Sequence, residues 1–167
     1  MNTIITIGRQ FGSGGREIGK DLAEKLGIPY YDKKLISRAA KESGFCKEMI
    51  ETNDERPTNS FMYNLVMDTY SFGYNTSSFV DMPLSQKIFL AQFDTIKKIA
   101  AEGACVIVGR CADYALADRS DCLNVFIHAD EKQKISRIMQ RHECNEDTAR
   151  NMMIKKDKQR QTYYNYY

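Results

Sequence analysis

Thr3 to Ile7 is β-branched at every position and runs without interruption into Gly8-Arg9-Gln10-Phe11-Gly12-Ser13-Gly14-Gly15. A short run of this kind reads as a strand buried on both faces, the condition met in parallel sheets. Directly after the glycines, Ile18, Leu22 and Leu26 recur every four residues with Ala23 beside them, and Gly27 stops the helix before Pro29. A strand delivered through glycines into a helix leaves several backbone N–H groups aimed at one spot, reinforced by the helix dipole. Glycines also permit the left-handed conformations of an anion nest and let phosphate oxygens come close to the backbone. Two readings of Gly12 to Arg16 follow: a phosphate-binding loop, which the strand-to-helix setting favours, and a merely structural turn.

The rest of the chain repeats the alternation. Ile28 to Tyr31 reads as a short strand, Lys33 to Ala40 as an amphipathic helix ending near Gly44, and Ala104 to Val108 and Leu123 to His128 as two more strands. Between them, Asp81 is placed to cap a helix with Pro83 in its first turn and Leu84, Ile88, Ile96 and Ile99 on its face, closing at Gly103. Two helices follow the last strand, one carrying Ile135, Ile138 and Met139, the other capped by Asn145 with Ala149, Met152 and Met153. From Phe45 to Met82 the pattern dissolves into turn formers and scattered aromatics, with a helix expected around Phe61 to Tyr70. Alternating strands and helices predict a mostly parallel sheet covered on both faces, with ligands beyond the carboxyl ends of the strands. The glycine loop, Asp32 and Gly109-Arg110 all fall at such ends.

Composition narrows the function classes. At 167 residues, 43% hydrophobic and 28% charged, the chain predicts one domain with one core. Its five cysteines are odd in number, with no C-x-x-C pair, and no secretory signal precedes the first strand, which together predict a cytoplasmic protein without disulfides. No apolar stretch approaches the ~18 residues of a membrane span. A net charge of +2 argues against general nucleic-acid binding. The cations gather from Lys132 to Arg160, either as solvated helix faces or as a phosphate-facing surface. His142 and Cys144 are too few and too close in sequence for a metal site, and none is expected, while His128 at the end of an apolar strand reads as packed or capping.

The run Ile5 to Arg16 resembles the start of the cytidylate kinases, and more closely the cytidylate kinase-like branch of the P-loop nucleoside monophosphate kinases. Further similarities follow in order: Asp32-Lys33-Lys34-Leu35-Ile36-Ser37-Arg38 resembles the acceptor segment, Gly109-Arg110-Cys111-Ala112-Asp113 the Gly-Arg-Asp segment, and Lys156-Asp157-Lys158-Gln159-Arg160 the basic lid. The resemblance implies a three-layer α/β P-loop kinase fold with a five-stranded, mostly parallel sheet. It also implies a helical acceptor-binding insertion at about residues 45–82 and a lid at about 142–160. The implied reaction moves the γ-phosphoryl of ATP, with Mg²⁺, to a nucleoside monophosphate such as CMP. By the same resemblance Gly12, Ser13, Gly14, Gly15, Arg16 and Glu17 hold the donor phosphates, and Asp32, Arg38, Arg110, Asp113 and Asp157 face the acceptor. Arg16, Arg137, Arg141 and Arg160 approach the transferring group, where forked guanidinium donors suit spread negative charge.

The loop departs from G-x-x-x-x-G-K-[ST], whose lysine reaches the β/γ-phosphates and whose hydroxyl binds Mg²⁺. In one register Gly15 and Arg16 stand at those two positions, and in the other Arg16 replaces the lysine, so Arg16 is the only local cation either way. Cys111 stands where the family more often has Asp. Three functions therefore stay open: a nucleotide kinase, a kinase of another small acceptor, and a nucleotide-binding module that transfers nothing.

Overall fold

A computed structural model describes residues 3–55 and 84–166. Its centre is strand β1 (Ile4–Arg9), in which Ile4, Ile5, Thr6 and Ile7 are all buried, as a strand packed on both faces requires. With β2 (Tyr30–Tyr31), β3 (Cys105–Val108) and β4 (Cys122–Ile127) it forms a four-stranded sheet, every pairing parallel, in the order β2-β3-β1-β4. Ile4 is paired with Cys105 on one side and Cys122 on the other. β4 lies at the edge of this sheet and leaves Leu123 54% and Phe126 63% exposed. A fifth strand does not occur among the described residues.

Helix α1 (Gly15–Leu26) lays Ala23 and Leu22 on Ile5, Ile7, Val106 and Val108, and Gly27 ends it in a left-handed conformation, its N–H donating to the Ala23 and Glu24 carbonyls. α2 (Lys33–Ser43) buries Leu35, Ile36, Ala39 and Ala40 and ends on left-handed Gly44. α3 (Lys47–Asn53), which the sequence pattern does not announce, packs Ile50 with them. The long α4 (Leu84–Glu102), the short α5 (Ala112–Ala115) and Tyr163 of the last helix cover the opposite face through Ile96, Ile99, Ala112 and Leu116. The sheet is thus enclosed by helices on two sides, consistent with a P-loop-like α/β fold. α6 (Glu131–His142) and α7 (Glu146–Tyr166) pair through Ile135, Ile138, Ala149 and Met153, with Phe11 of the glycine loop in the same cluster. Asn145 caps α7, its Oδ1 accepting from the Thr148 N–H at 2.9 Å.

The expected helix near Phe61 to Tyr70, the caps at Asp81 and Pro83 and most of the acceptor insertion lie outside the described residues. All five cysteines are free thiols, and burial raises the Cys105 pKa to about 11 and that of Cys111 further. Among the described residues no helix is long and apolar enough to cross a membrane.

Candidate functional site at the glycine loop

β1 releases the chain into a loop that Gly12 (φ 77°) and Gly14 (φ 86°) bend through left-handed conformations. Gly12 also has no room for a side chain, because a Cβ there meets the Lys134 carbonyl at 2.8 Å. Ser13 spends its hydroxyl inside the loop, donating to the Gln10 carbonyl at 2.9 Å and accepting from the Gly15 N–H at 3.3 Å. The N–H groups of Gly12, Gly14, Arg16 and Glu17 make no hydrogen bond among the described residues. Those of Gly14, Arg16 and Glu17 are the unpaired donors that the start of a helix leaves over, and that of Gly12 belongs to the loop before it. The loop is fixed from behind by Asp157 of α7, which accepts from the Phe11 N–H at 2.6 Å and from buried Lys134 Nζ of α6 at 3.0 Å. Over its front, Arg137 Nη1 donates to the Gly12 carbonyl at 3.3 Å.

After β3 the backbone makes a left-handed turn through Gly109 (φ 77°), Arg110 (φ 57°) and Cys111 (φ 51°). For residues other than glycine this costs on the order of 1–2 kcal/mol each. Its result is to fold Arg110 back over the strand end. Arg110 Nη1 donates to the Val108 carbonyl at 2.9 Å and to Asp32, while Nε and Nη2 grip Asp54 at 3.0 and 2.7 Å. Burial works to lower the Arg110 pKa, but Asp54, Glu55 and Asp32 outweigh it and hold the guanidinium charged. The second oxygen of Asp32 takes Arg16 Nε at 2.8 Å. Beside them Glu55 lies between Arg9 and Arg160, whose Nε is 3.1 Å from Oε2. Burial works to raise the Glu55 pKa, yet Arg9, Arg110 and Arg160 together hold it well below the usual carboxylate range.

These groups line a cleft of about 480 Å³ that brings together Gly12, Gly14, Gly15, Arg16, Glu17, Asp32, Arg110, Arg141 and Arg160. Arg141 reaches it paired with Glu17. Other expected residues are placed elsewhere. Asp113 accepts from the Tyr164 hydroxyl at 2.7 Å in a neighbouring cavity of about 540 Å³, and Asp157 anchors the loop without lining the cleft. Arg38 does not join Arg110: it pairs with Glu42 and with Glu102, the last residue of α4 before β3, at the opposite end of that strand from Gly109. Arg38→Ala is accordingly expected to leave nucleotide affinity within about twofold and to cost about 1 kcal/mol or less, the range of exposed pairs, by calorimetry and thermal unfolding.

Arg9, Asp54 and Glu55 also line the cleft and Lys134 supports the loop through Asp157, four residues to which no sequence motif assigns a role. Arg9 carries a visible signal, since it directly follows the buried run of β1. Lys134 is recoverable only by noting that it shares the helical stripe of Ile135 and Ile138.

The sequence pattern of the cytidylate kinase-like family matches residues 4–167. The chain belongs to that family. A crystal structure of an uncharacterized protein from Eubacterium ventriosum ATCC 27560 is 34% identical to this cytidylate kinase-like chain. It superposes with a TM-score of 0.67, over 99% of this chain and 77% of that one. No curated protein matches. Membership points to a nucleotide kinase in general terms, and within the cytidylate kinase-like chain the glycine loop and its ring of arginines are the groups suited to such a role.

Proposed function

We propose that the chain is an ATP-dependent phosphotransferase that passes the γ-phosphoryl group of ATP to a small phosphorylated acceptor, a nucleoside monophosphate such as CMP. One observation carries this: the glycine loop, with its unpaired N–H groups, lines the same cleft as Arg16, Arg110, Arg141 and Arg160. Phosphoryl transfer asks a protein mainly for positioning and for neutralisation of negative charge spread over the moving group, and this cleft offers both. The donor phosphates fit the N–H groups of Gly12, Gly14, Arg16 and Glu17. Mg²⁺, which neutralises charge on the phosphates when bound, fits as an ion held through phosphate oxygens and water. Ser13 is not its ligand in this reading, since its hydroxyl is engaged within the loop.

Arg16, Arg141 and Arg160 then face the transferring group. Arg110 acts differently. Its bonds to Val108, Asp32 and Asp54 consume most of a guanidinium's donors, so it positions Asp32 and Asp54 rather than gripping the acceptor itself. Arg16→Ala is expected to lower kcat about tenfold with little change in ATP affinity, because the backbone donors remain; unchanged turnover makes Arg16 a solvated first-turn residue.

The rival, a nucleotide-binding module that transfers nothing, draws on the loop's lack of a lysine. The deciding experiment measures ADP release from ATP and Mg²⁺ across a panel of nucleoside monophosphates, with calorimetry of ATP alongside. Turnover with one acceptor is expected. ATP binding without turnover across the panel establishes the module, and absence of ATP binding rejects both.

A further inference from the structure

Glu55 is a buried carboxylate at the cleft for which the proposed reaction has no task. It directly follows Asp54, and its backbone is left-handed (φ 51°), a conformation that costs a non-glycine residue on the order of 1 kcal/mol or more. It is nonetheless held there. Gln159 Nε2 donates to its carbonyl at 3.0 Å, and its carboxylate joins Arg9 to Arg160. Gly109 makes the space, since a Cβ on it would run into both the Arg9 guanidinium and the Glu55 carboxylate.

A carboxylate shared by two guanidinium groups offers them the charge and oxygen spacing that two oxygens of a phosphate offer. Arg9, Glu55, Arg110 and Arg160 form the wall common to the glycine-loop cleft and the neighbouring cavity, so an anion in the cleft lies against this position. Leaving buried guanidinium groups without a counterion is costly, whereas exchanging one anion for another keeps them paired throughout.

We propose, resting on the reading of this cleft as a phosphate-handling site, that Glu55 is an internal anion. It holds Arg9 and Arg160 in the ligand-free chain and gives way to a phosphate oxygen of the bound substrate. The Arg9 and Arg160 pair is then an anion subsite, and substrate affinity is set by an exchange rather than by binding to vacant cations. Because coupling is reciprocal, whatever fastens Glu55 onto the pair weakens phosphate binding by the same factor.

The test uses pyrophosphate, which carries the charge but no base, in titration calorimetry with the full chain and with Glu55→Gln. Binding roughly tenfold tighter in the variant is expected, within the usual range of coupled sites, and the gain should vanish when Arg160→Ala is added. A folded Glu55→Gln chain that binds pyrophosphate no tighter overturns the proposal, as does a gain that survives Arg160→Ala. Should Glu55→Gln fail to fold, Glu55→Asp, which draws the carboxylate back by one methylene, is expected to bind more tightly than the natural chain, and absence of that gain is equally fatal. A chain that shows this pattern with pyrophosphate yet neither binds ATP nor turns over fails the kinase reading and leaves the exchange standing. Normal ATP turnover without the Glu55 effect does the reverse.

Discussion

Replacing Arg110 with Met is expected to cost about 3–5 kcal/mol of stability, seen as a fall of about 10 °C or more in Tm. The guanidinium is only 4% exposed and is the shared counterion of Asp32 and Asp54. Methionine fills much of its volume but leaves Asp54 without its cation and Asp32 with Arg16 in place of two guanidinium partners, and that undercompensated charge, not lost packing, is the main term. Asp32→Asn together with Asp54→Asn in the Arg110→Met chain should therefore recover a large part of the loss. The pH dependence has a definite sign. Glu55 is held ionised by Arg9, Arg110 and Arg160, so its folded pKa is depressed and it adds stability above its ordinary value of about 4.3 that is lost as the pH falls below it. Arg110→Met removes one of the three fields, so the stability gap between the natural chain and the variant should narrow as the pH falls below about 4. A Tm loss under about 2 °C would mean that solvent screens the cluster.

Asp157→Ala is the second large effect, expected at about 3 kcal/mol with a weakened affinity for ATP. Two groups lose their partner at once: Lys134, whose side chain is 9% exposed, and the Phe11 N–H that fixes the entry of the glycine loop. The two consequences separate in a double variant. Adding Lys134→Met removes the unpaired charge and should restore most of the stability, because an apolar pair of similar volume can replace a buried ion pair. It cannot restore the hydrogen bond to Phe11. ATP affinity should consequently stay low in the double variant by calorimetry, and its full recovery would show that Asp157 serves the lysine and not the loop.

Where local pattern and burial agree, the fold was legible. The β-branched run of β1, Gly27 as the stop of α1, and the inward stripe of α2 ending at Gly44 all come directly from side-chain spacing. The four-residue rhythm of α1 located the helix but not its buried face, since Ile18 and Leu26 stand 46% and 53% exposed while Ala23 is buried. α3 and α5 were not legible, because Lys47–Asn53 and Ala112–Ala115 are too short for a period to stand out from composition. Exposure of Phe126 escaped for another reason: a strand's apolar content does not say whether it is central or at an edge. The glycine loop, Asp32 and Arg110 meet in one cleft, a placement that could be read ahead because strand ends are readable. Arg38 was misdirected by its place in a motif, although the buried stripe of Leu35, Ile36, Ala39 and Ala40 already excludes it and Glu42 stands one turn on. Glu55 sits outside any recognisable period, and its role depends on Arg9 and Arg160, partners far away along the chain.

The place of β1 in the sheet sets an order for the chain's synthesis. Ile4 to Ile7 are all β-branched, yet both their neighbours come late, at Cys105–Val108 and Cys122–Ile127. At roughly 5–20 residues per second, a ribosome leaves this segment without either partner for on the order of ten seconds. Parallel pairing across such separations is also slow once possible, since loop closure must precede any return from the contacts. During that interval a short apolar segment with open hydrogen-bonding edges is in the solvent, the condition under which chains stick to one another. Yield of the folded protein is thus expected to be sensitive at this strand, and slower translation or higher expression should lower the soluble fraction before any weakness of the finished fold is felt.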